Sequence, residues 1–159
     1  MRLPPGAQVI EVGAGSILDA QVEAIVNPAN CVGAMGAGLA LEIRRKWPTV
    51  YDSLYQATCD GIVHIGSVHW SSTGVAQPRW VIHLPTKLHW RNPSKLEWVE
   101  AGMQDLVAQV RLEEVRSVAI PALGCGLGGL RWEEVEPVIK KACESEPSVR
   151  WVVFPPKGA

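Results

Sequence analysis

The stretch Val22-Glu23-Ala24-Ile25-Val26, followed by Asn27-Pro28-Ala29-Asn30-Cys31-Val32-Gly33-Ala34-Met35-Gly36-Ala37-Gly38, decides how the rest of the chain is read. Residues 22–26 form a short apolar run rich in β-branched side chains, the pattern of a strand inside a sheet. In the loop that follows, Gly33, Gly36 and Gly38 let the backbone approach a ligand because no Cβ intervenes. Asn27 and Asn30 carry amides suited to ribose hydroxyls. The loop then enters a helix over residues 37–46, whose first amides favour an anion.

The same unit recurs further along. The run Ser117-Val118-Ala119-Ile120-Pro121 leads through Ala122-Leu123-Gly124-Cys125-Gly126-Leu127-Gly128-Gly129-Leu130 into a helix opening at Trp132. Gly124, Gly126, Gly128 and Gly129 can form a nest of amides around a diphosphate. Either loop alone reads equally well as a tight turn. Two of them, each between a strand and a helix, point to a ligand.

Outward from these loops, further strands are expected at residues 8–12, 67–71, 80–84 and 149–154. A helix is expected over residues 50–59. Ser94-Lys95-Leu96-Glu97 has the pattern of a capping box, with Leu96, Val99, Met103, Leu106, Val107 and Val110 forming the buried face of the helix it opens. Trp132, Val135, Val138, Ile139 and Ala142 define another. Strands alternating with helices predict an α/β fold of three layers, with a mixed, largely parallel sheet covered by helices on both faces. All 159 residues are expected to form one domain. Ligands of such sheets gather beyond the carboxyl ends of the strands.

A third loop, Leu84-Pro85-Thr86-Lys87-Leu88-His89-Trp90-Arg91-Asn92-Pro93-Ser94, interleaves cations with an aromatic ring. Lys87, His89, Trp90 and Arg91 suit an unstacked base and its phosphate, so His89, Trp90 and Arg91 are candidates for a local contact with single-stranded nucleic acid. The plainer alternative is a solvated loop with Trp90 tucked into the core.

The formal net charge of -1 excludes a protein that holds duplex nucleic acid by wholesale neutralisation of phosphates. Residues 1–6 lack the pattern of a signal peptide, and no apolar stretch is long enough to span a membrane, so a cytoplasmic protein without membrane contact is expected. Cys31, Cys59, Cys125 and Cys143 form no CxxC pair, and the histidines lack metal-ligand spacing. Reduced, packed thiols, no metal and no cofactor are expected. No GxxxxGK[ST] occurs, and GxGxxG is missing from the first strand-helix turn, which argues against a Walker-type NTPase or a dinucleotide fold.

Val22-Glu23-Ala24-Ile25-Val26-Asn27-Pro28-Ala29-Asn30, the glycine loop after it, and Ile120-Pro121-Ala122-Leu123-Gly124-Cys125-Gly126 resemble the two ligand loops of the macrodomain family. The likeness covers almost the whole chain. Within the family, Asn30 to Ala40, Pro85 to Arg91 and Gly126 to Trp132 are similar to the branch of DNA ADP-ribosyl glycohydrolases that act as antitoxins. The resemblance implies that Asn30, Gly33, Met35, Gly36, Ala37 and Gly38 hold the distal ribose of ADP-ribose. It implies that Gly124, Cys125, Gly126, Leu127, Gly128 and Gly129 wrap the diphosphate and reach that ribose from the other side, that Pro121 and Leu123 also contact ADP-ribose, that Lys87 is catalytic, and that Phe154 stacks on adenine or packs in the core. Many members carry Gly-Asp-Ile near the first strand, with the aspartate bonding the adenine amino group; this chain has Gly15-Ser16-Ile17 there, so the resemblance implies that Ser16 and Ile17 contact the adenine end of ADP-ribose. Related lysine-dependent glycohydrolases carry an aspartate where this chain has Gly128.

The function so implied is removal of ADP-ribose from a modified acceptor, DNA thymidine by resemblance, with a partner toxin. Two alternatives stand beside it: a module that binds ADP-ribose without turnover, and a hydrolase of a free derivative such as O-acetyl-ADP-ribose.

Overall fold

A computed structural model describes residues 10–157. Its centre is the strand β2 (Ala24–Asn30), flanked by β4 (Trp80–Lys87) and β5 (Ser117–Ile120). With β1 (Ile10–Val12), β3 (His69–Ser72) and β6 (Arg150–Val153), these form one six-stranded sheet in the order β1-β6-β5-β2-β4-β3. Every pairing is parallel except β3 with β4. The expected mixed, largely parallel sheet is therefore the observed one.

Alternation along the strands sorts the core into two layers, because successive side chains point to opposite faces. Ala24, Val26, Ile82, Leu84, Val118, Ile120, Trp151 and Val153 pack with Val99, Met103 and Leu106 of α3 (Leu96–Leu112) and with Val135 and Ile139 of α4 (Trp132–Glu144). Ile25, Val81, Ala119 and Val152 pack on the other face against Ile43 of α1 (Gly38–Lys46) and Val50 and Leu54 of α2 (Pro48–Cys59). Burial of each such side chain is worth about 1.5–3 kcal/mol. The three-layer expectation holds. None of these helices is long and apolar enough to cross a membrane.

Several expected boundaries move, and the largest shift matters for the site. The first glycine loop was expected to begin at Asn27, yet β2 runs on to Asn30 because β4 also runs on, pairing Asn27 with His83, Pro28 with Leu84, Ala29 with Pro85 and Asn30 with Lys87. Pairing on both strands outweighs the local preference of Asn-Pro for a turn. Lys87 is thus the last residue of a strand and not part of a loop. Of the expected strand at residues 8–12, the first two residues lie outside the described ones.

The capping box at Ser94 is also corrected. The residue that caps α3 is Lys95, and no side chain bonds its first amides. Ser94 instead turns toward the second glycine loop, where its N–H donates to the Gly128 carbonyl at 3.0 Å. All four cysteines are free, with Cys143 buried as expected but Cys59 exposed at the end of α2.

Candidate functional site

β2, β4 and β5 end side by side at Asn30, Lys87 and Ile120, and a cavity of about 700 Å³ opens over their carboxyl ends. The walls come from the three loops singled out in the sequence. Gly36, Ala37 and Gly38 form one side, Pro121, Ala122, Gly124, Gly126, Leu127 and Gly128 another, and Thr86, Lys87, Trp90 and Ser94 the third.

The first wall ends at α1, whose cap residue Ala37 offers no side-chain hydrogen bond and whose first turn carries no acid. The opening amides of that helix are therefore free for an anion or a polar ligand. Asn30 reaches the cavity, and part of its amide is employed within its own loop. Its Oδ1 accepts from the N–H groups of Val32 and Ala34, both at 3.1 Å, and its Nδ2 donates to the Ala34 carbonyl at 3.0 Å. Asn30 shapes the loop and lines the cavity, and the second N–H of its Nδ2 has no protein acceptor among the described residues, which leaves it for a ribose hydroxyl.

Asn27, Gly33 and Met35 leave the cavity altogether. Asn27 shares the sheet face of Ile25 and is fully buried beneath α2, with Nδ2 3.0 Å from Nδ1 of His83. Gly33 has a φ of 75° and presses on α2, where an added Cβ would stand 2.8 Å from Oγ1 of Thr58. Met35 fills the core between the sheet and the α1–α2 layer. Spacing in the sequence put these residues near a ligand; extension of β2 and packing of the loop on α2 took them away.

In the second loop the Leu130 N–H donates to Gly124 O at 2.9 Å and the Gly129 N–H to Gly126 O at 3.1 Å. Among the described residues, the N–H groups of Gly126, Leu127 and Gly128 have no protein acceptor, so they remain available as a nest. Leu123 is buried in the core, and Cys125 turns its Sγ toward the Leu123 carbonyl. Burial and then Glu133 raise the Cys125 thiol pKa. Gly129, with a φ of 80°, provides the turn behind the wall. Leu123, Cys125 and Gly129 thus support the loop from outside the cavity.

Lys87 projects from the end of β4, and its Nζ donates to the Trp90 carbonyl at 3.2 Å. The Lys87 carbonyl accepts from the Cys31 N–H at 3.1 Å, which ties the first loop to the third. Among the described residues lining the cavity, Lys87 is the sole ionisable side chain. Trp90 is 52% exposed, so it is not tucked into the core. The Arg91 guanidinium lies 4.9 Å from its ring centroid and the His89 ring 5.2 Å away. His89 and Arg91 themselves stand outside the wall.

Ser16, Ile17 and Phe154 lie on the same carboxyl edge but outside the cavity lining, with the Phe154 N–H donating to the Ile120 carbonyl at 2.8 Å. Ser16 Oγ accepts from the Leu18 N–H at 3.2 Å, Ile17 is in the core, and the Phe154 ring lies against Gly13. Sequence reasoning missed Thr86 and Ser94 as wall residues, along with the apolar Pro28, Ala29, Ala34, Leu39, Ala40 and Ala122. Thr86 sat beside the lysine already chosen, whereas the one signal at Ser94 pointed to a helix cap.

A three-layer α/β fold with glycine loops around a cavity at one sheet edge is the architecture of a ligand-binding domain, and the family description Macro domain matches residues 26–139. The chain belongs to the macrodomain family. A DNA ADP-ribosyl glycohydrolase of Mycobacterium tuberculosis is 43% identical over 151 residues, which are 94% of this chain and 43% of that protein. The chain therefore spans less than half the length of that relative. The solved macrodomain of Mycobacterium tuberculosis DarG matches with a TM-score of 0.92 at 42% identity, covering 95% of this chain and 100% of that one. Thermosipho africanus DarTG in complex with ADP-ribose matches with a TM-score of 0.88 at 27% identity, covering 97% of this chain and 43% of that one.

Proposed function

We propose that this chain binds ADP-ribose in the cavity over β2, β4 and β5 and releases it from a modified acceptor, with Lys87 as the catalytic residue. One observation carries the reading: among the described residues, the cavity between the two glycine loops holds a single ionisable side chain, Lys87, whose Nζ donates to the Trp90 carbonyl at the end of β4. Free amides of the second loop and of the α1 N-terminus suit the diphosphate and the distal ribose. The relative named as a DNA ADP-ribosyl glycohydrolase and the DarTG complex with ADP-ribose support the same ligand and reaction.

Lys87 can serve in either of two ways. As a neutral amine, Nζ attacks C1″ of the distal ribose, the acceptor departs with the bonding electron pair and takes up a proton, and water then frees ADP-ribose from the lysine adduct. As a cation, it stabilises charge on the departing group and leaves the attack to water. Trp90, half-exposed beside the amine and flanked by Arg91 and His89, suits stacking on a nucleic-acid base attached to that ribose. A thymidine acceptor in single-stranded DNA, and a partner toxin that modifies it, belong to this proposal.

The absence of any carboxylate from the cavity wall among the described residues favours one second reading, a module that holds ADP-ribose and turns nothing over. Incubation with ADP-ribosylated single-stranded DNA and with ADP-ribosylated protein, following release of ADP-ribose, separates the two. Release from DNA supports the glycohydrolase. Release from neither, with measurable binding, selects the module.

A further inference from the structure

Ser94 is a polar residue that the fold buries and then leaves idle. It is 6% exposed and lines the cavity between the end of β4 and the second glycine loop, yet its Oγ has no hydrogen-bond partner among the described residues. Burying a hydroxyl unpaired is unfavourable. Nor does α3 use it as a cap, since the first amides of that helix receive no side-chain bond.

The roof over this hydroxyl is Gly128. A Cβ there would stand 2.4 Å from Ser94 Oγ and 2.5 Å from the Gly124 carbonyl oxygen, so glycine alone fits. The Gly128 carbonyl accepts from the Ser94 N–H at 3.0 Å and the Gly126 carbonyl from the Gly129 N–H at 3.1 Å, while the rest of the roof packs on little: an added Cβ at Gly126 or Gly129 would meet nothing within 4 Å, and Leu127 is 79% exposed. A donor is therefore stored directly beneath the loop whose free amides surround the cavity.

We infer that Ser94 is a ligand-contact residue whose Oγ–H donates to a phosphate oxygen of the bound diphosphate once residues 126–129 shift to admit it. The amides of Gly126, Leu127 and Gly128 then hold the anion from one side and the Ser94 hydroxyl from below. A hydroxyl idle in the empty site and paired in the filled one contributes to binding and not to folding. The inference rests on the reading of the cavity as an ADP-ribose site.

Ser94→Ala and Ser94→Cys test it, since alanine removes the donor and cysteine keeps nearly the same volume with only a weak one. Each is compared with the wild-type protein by thermal unfolding without ligand, and by calorimetry with ADP-ribose and with ADP. The expected result is an unchanged or higher unfolding temperature for the empty variants, with affinity for both ligands down about tenfold, the worth of one hydrogen bond to a charged group. Unchanged affinity in both variants would overturn the inference, as would a lower unfolding temperature with affinity intact, which marks a structural hydroxyl. A loss for ADP-ribose alone would place the contact on the distal ribose and overturn the diphosphate assignment. Failure of the wild-type protein to bind ADP-ribose would remove the proposed function together with this inference, whereas wild-type binding with unaffected variants removes the inference alone.

Discussion

Lys87, Gly128 and His83 each carry a consequence that one substitution exposes. Lys87→Ala is expected to abolish release of ADP-ribose from a modified substrate while leaving affinity for free ADP-ribose within about tenfold, or roughly 1.4 kcal/mol. Activity in the alanine variant would remove Lys87 from the mechanism. Lys87→Arg keeps the charge but cannot supply a neutral amine, so an active arginine variant identifies charge stabilisation. Gly128→Ala should weaken ADP-ribose binding by more than about tenfold, because its Cβ collides with the Gly124 carbonyl and Ser94; calorimetry showing wild-type affinity would mean that the loop yields freely. His83 is buried, and burial first, then the neighbouring His69, lowers its pKa from 6.5 to about 3. The neutral ring accepts from Asn27 Nδ2 on one side and donates to Ser71 Oγ on the other, and Ser71 in turn donates to Ser53. In the unfolded chain the ring takes up a proton near pH 6.5, so the unfolded state binds more protons between that pH and 3. Stability is complete above pH 6.5 and falls as the pH drops through this window, by about 1.4 kcal/mol per pH unit. Urea unfolding of His83→Gln should show a shallower decline there than the wild-type protein, and equal slopes would contradict a neutral buried ring.

Among the elements, β4 and α3 together set the third wall of the cavity. α3 lies close on β4 because Gly102 has no side chain: a Cβ there would stand 2.5 Å from Cδ2 of Leu84. Gly102→Ala gains about 1 kcal/mol of helix propensity and loses about 1–3 kcal/mol by overpacking, for a net destabilisation of up to about 2 kcal/mol. Denaturant unfolding measures it; a more stable variant would mean that Leu84 repacks without strain. The expected helix at α3 was legible because Leu96, Val99, Met103, Leu106, Val107 and Val110 keep helical spacing through the whole element. Its start was not, since Ser94 follows the pattern of a cap but is claimed by Gly128, a partner 34 residues away whose pull no local pattern contains. The same holds for β2, which overruns the Asn-Pro signal because β4 pairs with it as far as Lys87.

For the whole molecule, the two glycine loops and Lys87 meet only because parallel strands β2, β5 and β4 end on one edge. If the cavity is built for a diphosphate with a distal ribose, ADP-ribose should bind far more tightly than AMP by calorimetry. At a concentration near 100 times its dissociation constant it should add about 2.7 kcal/mol of stability. Equal affinity for the two ligands would contradict the assignment of these loops. Alternating strands and helices and glycines after two of the strands were enough to give the three-layer class and the sheet edge, whereas the proposed catalytic role of Lys87 came from resemblance to the family. Those features are local, because they follow from periodicity and from what glycine's missing Cβ permits. Which loop residues face the cavity was a tertiary matter: Asn27 and Met35 turned into the α2 layer, and Ser94 entered the wall. Each depends on a neighbour brought close only by folding, and a partner distant in sequence leaves no periodicity to read.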